Sequence, residues 1–398
     1  MLAPVSLDRK SRALEFGIYR DGDNNLDEIQ SLVLDQALRA SAESSAIEFS
    51  VEDTTAGSDR IATWDYTIAD GAKRGAQSAQ PPRTMSSRAN LARFVARTLD
   101  NAERSNARET WIDLVDHGAG DGAARGIMRL DDMAGAIADG VALHAEHHPE
   151  DANRRVDGVV ANECLMATLG FASALSHAGV RYLAASPETM LAPGVPTSVA
   201  LDIAAHEGEP ASMAGAVVDR VMETRYFPNA DGGWNPAAAF DVLDLAPQKI
   251  AAVESRVRDL NATITAAAHD RSVRAALRED AKAIDGMVRF PQGKRLPWRA
   301  DRPAIELYRT FAEDGRLPQV VREASQAAAG AVAATVLAHS EVDDFAPFDG
   351  ASYGDAVGPT VHFPVTRAQI DPWAPMVSET DNAFYREVGA ADLVRAIA

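Results

Sequence analysis

Between residues 14 and 185 the chain repeats one pattern: a short apolar run, a polar turn, then a longer stretch with helical periodicity. That alternation restricts it to a layered α/β architecture, because strands of this kind need partner strands and each amphipathic helix needs a sheet face to cover. Strand-like runs fall at 14–19, 47–51, 110–115, 156–161 and 181–185, and 60–68 alternates like one strand of an exposed hairpin. Helical patterns fill 26–42, 87–104, 130–148 and 167–178. In the second of these Leu91, Phe94, Val95, Thr98 and Leu99 share one face. Residues 71–85, with Gly, Pro and Gln, read as loop. Further on, the pattern predicts helices at 198–206, 211–226, 247–269, 272–284, 304–312 and 320–338, and strands at 238–245 and 360–363. The expected division is a core over residues 1–245 and a helix-rich region over 246–398 packed on it.

A net charge of −19 disfavours nucleic acid and anionic membrane surfaces as partners; it would favour a basic peptide or protein, but solubility is the preferred reading of the acidic balance. A single cysteine in 398 residues forms no internal disulfide. Residues 1–20 are interrupted by Asp8, Arg9, Lys10 and Arg12, and the alanine-rich stretch 324–338 contains Ser325 and Gln326. Neither resembles a leader core or a membrane span, so a cytoplasmic location is expected.

Two of the strand-like runs end in reactive side chains. The run 110–115 leads to Asp116-His117-Gly118, and 156–161 leads to Asn162-Glu163-Cys164, the lone cysteine. A cysteine attacks as thiolate and needs a nearby base, most commonly histidine. If the two runs are neighbouring parallel strands, both groups reach the carboxyl edge of the sheet, where α/β ligand sites form. Their separation, 164 − 117 = 47 residues, is close to the caspase spacing of about 50. A helix starting directly after Cys164 would add its N-terminal dipole. The N–H groups of Gly118 and Cys164 are candidates for holding an oxyanion. The competing reading is a buried cysteine acting as a small hydrophobe. The glycine-rich stretch 119–126 is not followed by Gly-Lys-Ser/Thr and is not a phosphate loop. His144, His147 and His148 do not form H-E-x-x-H and read as cations at a helix C-terminus, so no metal site is expected there.

Four stretches, DGDNNLDE (21–28), WIDLVDHGAGDG (111–122), VDGVVANECLMATLGFASAL (156–175) and YLAASPET (182–189), resemble in order and spacing the clostripain family of cysteine peptidases, in the caspase-like clan. AAFDVLDLAP (238–247) and GPTVHFP (358–364) extend the likeness. The resemblance implies a caspase-like, mostly parallel sheet flanked by helices. It also implies a cysteine endopeptidase with His117 as base and Cys164 as nucleophile, active on peptides without a required cofactor. Asn162, Glu163, Ser186 and Glu188 would bind substrate. Asn162 stands where the family carries an aspartate that receives a basic P1 side chain, and Glu163 stands where alanine is usual. Glu188 or Asp202 is the candidate compensating carboxylate. The same resemblance offers self-cleavage between the two motifs at Arg125, Arg154 or Arg155, against the preferred reading of Arg154 and Arg155 as a solvated loop. Calcium is an option at the acidic loop 21–27, which also reads as a plain turn and helix cap. The rival readings are an inactive caspase-like peptide-binding module and a hydrolase of non-peptide amides or esters.

Overall fold

The computed structural model describes residues 11–56, 61–79, 81–118, 122–123, 128–190, 193–206, 208–224, 239–284, 289–290, 294–295, 301–341, 357–365 and 382–397. In chain order the first strands are β1 (Leu14–Gly22), β2 (Ile47–Ala56), β3 (Ile61–Ala69), β4 (Ala72–Ala79) and β5 (Glu109–Val115). A short hairpin of β6 (Gly122–Ala123) and β7 (Met128–Arg129) precedes β8 (Gly158–Asn162), β9 (Tyr182–Ala185) and β10 (Ala239–Asp244). The later strands are β11 (Arg289–Phe290), β12 (Lys294–Arg295), β13 (Asp301–Pro303), β14 (Val336–Glu341) and β15 (Thr360–His362). Nine of them form one sheet, in the order β14-β10-β9-β8-β5-β1-β2-β3-β4. The middle five, from β9 to β2, run parallel, and the strands added at either edge are antiparallel.

Alternation along the buried strands assigns the two faces. Ile112 and Leu114 of β5 and Val159 and Ala161 of β8 face one layer. That layer contains α2 (Arg88–Ser105), α3 (Leu130–His147) and α4 (Leu169–His177), with Phe94, Ile137 and Phe171. Trp111, Val115 and Val160 face the opposite layer, formed by α1 (Asp27–Glu43), α5 (Val199–Ala205) and α6 (Pro210–Glu223). The second half of the chain builds a further apolar cluster from α7 (Pro247–Ala267), α8 (Arg271–Ala283), α9 (Ala304–Glu313), α10 (Gln319–Ala333), α11 (Ala383–Glu387) and α12 (Ala390–Ile397).

Two local expectations are corrected. Residues 72–79 are not loop: they form β4, the exposed edge strand, whose side chains carry no apolar alternation because neither face is covered. The helix expected over 320–338 ends at Ala333, and Val336–Glu341 pairs with β10 instead. Alanine-rich sequence favours helix, but an open sheet edge supplies backbone partners that override that preference.

Candidate active site

β5 and β8 are adjacent and parallel, with Val115 level with Asn162, so the residues after each strand emerge side by side at the carboxyl edge. His117 and Cys164 both line a cavity of about 130 Å³, together with Leu26, Gln30, Asp116, Asn162, Glu163, Met190, Pro193 and Gly194. Gly118 packs against the cysteine's own backbone. A Cβ there would lie 2.9 Å from Cys164 N and would run into the Cys164 carbonyl, so only glycine lets the two loops meet this closely.

The cysteine is held by a strained turn. Leu165 has φ +65°, a left-handed conformation that is costly for a branched side chain. Two backbone bonds hold it there: Leu165 N–H donates to Glu188 O at 2.8 Å, and Ala167 N–H to Ser186 O at 3.0 Å. Helix α4 begins only at Leu169, capped by the Thr168 hydroxyl accepting from Phe171 N–H. The thiol is therefore not at a helix N-terminus, and the expected dipole contribution is replaced by a local donor: Met190 N–H points to Cys164 Sγ at 3.3 Å.

His117 Nε2 lies 3.0 Å from Asn25 Oδ1. A carbonyl oxygen only accepts, so Nε2 carries the proton and Nδ1 keeps the lone pair. Burial pushes the imidazole below its ordinary pKa and so favours the neutral, basic form, while Asp21 opposes that shift. The Asn24–Asn25 loop is anchored at both ends. Asn24 Nδ2 donates to Asp116 Oδ1 at 2.9 Å, beside His117. Buried Arg20 bonds Asp53 at 2.7 Å and Asp27, in the first turn of α1, at 2.9 Å. Asp21 accepts from Asp23 N–H. Asp21 and Asp27 thus act as turn and helix-start groups of this acidic stretch.

The other expected site residues fall as follows. Asn162 is buried with its amide committed to the fold: Oδ1 accepts Val195 N–H at 2.7 Å, and Nδ2 donates to Val195 O at 3.1 Å. Glu163 is buried at the cavity wall, and burial, then Asp116, Asp113 and Asp21, push its carboxyl well above the usual range. Ser186 and Glu188 are buried and do not line the cavity; the Ser186 hydroxyl donates to Ala239 O and accepts from Glu188 N–H. Their backbone carbonyls instead hold the turn that follows the nucleophile, accepting from Ala167 N–H and Leu165 N–H. Asp202 pairs with Arg220 on the α5–α6 surface, away from the cavity. Arg154 is folded onto Asp151 and the Ala107 carbonyl, Arg155 is exposed, and Arg125 lies outside the described residues. Asn25, Gln30 and Met190 carried no assigned role in the sequence. The signal for Asn25 was its place after β1, the strand next to the histidine's.

No family model and no curated protein sequence matches the chain. Solved structures do. A secreted C11 cysteine protease from Bacteroides thetaiotaomicron, iotapain, is 12% identical, with TM-score 0.63 over 95% of this chain and 99% of that one. A secreted C11 cysteine protease from the same organism, in complex with an irreversible peptide inhibitor, is 14% identical with TM-score 0.65 over the same shares. An inactive zymogen C11 protease from Parabacteroides distasonis is 14% identical with TM-score 0.62, again over 95% and 99%. The layers and the sheet define a caspase-like α/β protein. More narrowly, the chain has the fold of the C11, or clostripain-family, cysteine proteases. Two of these neighbours are described as secreted. Among the described residues no helix is long and apolar enough to cross a membrane.

Proposed function

We propose that this protein is a cysteine endopeptidase in which His117 and Cys164 hydrolyse peptide bonds. The observation that carries the reading is the shared cavity at the ends of β5 and β8, lined by the lone thiol and a neutral imidazole. In the proposed reaction Nδ1 of His117 takes the thiol proton, and Met190 N–H supports the resulting thiolate. The thiolate adds to the scissile carbonyl, and the N–H groups of Gly118 and Cys164 receive the oxyanion. Protonated His117 then gives its proton to the leaving amine, and water, deprotonated by the same imidazole, releases the acyl group. Asn25 positions His117 throughout.

The P1 side chain enters the same cavity. Its lining argues for a neutral residue: the Asn162 amide is already paired, Asp116 Oδ1 already accepts from Asn24 Nδ2 and the His117 backbone N–H, and burial with neighbouring carboxylates pushes the Glu163 carboxyl up. Gln30 Oε1 is buried without a hydrogen-bond partner and is an acceptor available to a P1 donor.

A P1-diverse fluorogenic peptide library, run on wild type and Cys164→Ala with and without calcium, tests this reading. Turnover by wild type alone, led by neutral P1 residues, is expected. Turnover of small esters with no peptide cleaved would make it a non-peptide hydrolase, and no turnover of either would leave a peptide-binding module. Intact masses of the two proteins after incubation report any self-cleavage.

A further inference from the structure

Far from this cavity, at the opposite end of the sheet, two histidines and a ring of carboxylates converge where α2 and α3 finish. The helices run parallel and pack closely. Gly140 of α3 makes this possible, since a Cβ there would press within 2.6 Å of Ala92 O and Val95. Asp100 and Glu103 on α2 thereby meet His144 on α3, His148 at its C-terminal cap, and Glu150 and Asp151 in the turn that follows. Both helices end here, so their terminal carbonyls add negative potential to that of Asp100, Glu103 and Glu150, Asp151 being paired with Arg154.

The histidines are arranged in a particular way. His144, wholly buried, has Nδ1 2.7 Å from Asp100 Oδ1 and Nε2 3.6 Å from Asp151 Oδ2. His148, stacked on it with ring centroids 5.0 Å apart, has Nε2 3.5 Å from Asp100 Oδ1 and Nδ1 3.0 Å from Glu103 Oε2. A neutral imidazole carries one N–H, yet each ring presents both nitrogens to carboxylates. His144 Nε2 is left buried without a hydrogen-bond partner. One divalent ion shared by His144 Nδ1, His148 Nε2 and Asp100 removes the conflict. Each ring then keeps its proton on the outer nitrogen, facing Asp151 and Glu103, the carboxylate-histidine-metal arrangement that fixes ligand tautomers.

We propose that Asp100, His144 and His148 form a binding site for a divalent transition-metal ion of the zinc type. The three ligand atoms lie within 4.8 Å of one another, and Asp100 and His148 are partly exposed, which leaves a side open to water as a fourth ligand. Two imidazoles and one carboxylate suit zinc and not calcium, which takes six to eight oxygens. The ion ties together the elements that lead into β5 and β8, so its effect is on the stability of the base of the sheet and not on the chemistry at its other end.

The test uses full-length Cys164→Ala protein, so that the catalytic thiol contributes no zinc affinity. Calorimetric titration with zinc chloride is expected to show one saturable site per chain and a rise in melting temperature, with no response to calcium at equal concentration. Adding Asp100→Asn and His148→Gln, both at partly exposed positions, is expected to weaken zinc binding at least tenfold and abolish the melting shift, with an unchanged circular dichroism spectrum. If the variant's spectrum does change, His148→Gln alone is expected to give the same loss of affinity in a folded chain. Equal zinc binding with and without these substitutions, or no saturable site in the Cys164→Ala protein, overturns the proposal.

Discussion

Removing the side chain of Asn25 isolates the positioning of the base from the chemistry of the nucleophile. The bond from His117 Nε2–H to Asn25 Oδ1 is 3.0 Å long, joins two neutral groups, and sits at an exposed position. A neutral hydrogen bond contributes about 0.5–1.5 kcal/mol net, far below the value of a buried charged partner. Asn25→Ala is therefore expected to lower kcat/KM by about 2- to 13-fold, a factor of ten being about 1.4 kcal/mol. Cys164 should remain fully reactive toward a small thiol reagent. Asn25→Asp adds a charge that favours the imidazolium, so the acidic limb of the kcat/KM profile should move to higher pH. Steady-state assays of both variants from pH 5 to 9 decide the matter. Unchanged kcat/KM in Asn25→Ala together with an unmoved limb in Asn25→Asp would refute the assignment. A loss beyond a thousandfold would show that Asn25 does more than orient a ring.

Two further outcomes concern stability. Arg20→Ala leaves buried Asp53 without its main cationic partner, which should cost about 3–5 kcal/mol in denaturant unfolding, whereas an Asp27→Asn change on the more exposed side should cost less. Glu163 is raised by burial and three neighbouring carboxylates, so below the ordinary glutamate range both folded and unfolded chains are protonated. As pH rises above that range the unfolded chain ionises first and the folded state loses relative stability until its own carboxyl titrates. Glu163→Gln removes that loss, so the variant's advantage over wild type in urea midpoint should grow from pH 5 to pH 8; a constant or shrinking difference would contradict it.

The sequence carried the middle of this fold well and its edges poorly. Runs such as 110–115 and 156–161 are buried on both faces, so apolar content alone marks them as strands. Ala72–Ala79 is exposed at all but its last residue and Val336–Glu341 follows an alanine-rich helix; each is a strand because a neighbour offers an open edge, which no local window contains. The same distinction holds at the site. His117 and Cys164 stand out because each ends a buried strand. Asn25 and Met190 act from loops 92 and 26 residues away, and that distance is invisible until the sheet is assembled. Ser186 and Glu188 stood out as polar side chains, but what they supply to the cysteine turn is backbone carbonyls.

The peptidase reading meets its sharpest test in covalent labelling. A peptidyl acyloxymethyl ketone with a neutral P1 residue is incubated with wild type, His117→Ala and Cys164→Ala, and the adduct is mapped by mass spectrometry. One adduct per wild-type chain on Cys164 is expected, with labelling slowed at least a hundredfold in His117→Ala and absent in Cys164→Ala, roughly the scale of losing a general base. A folded wild-type protein that takes up no label, or that labels equally fast without His117, would contradict a His117–Cys164 peptidase.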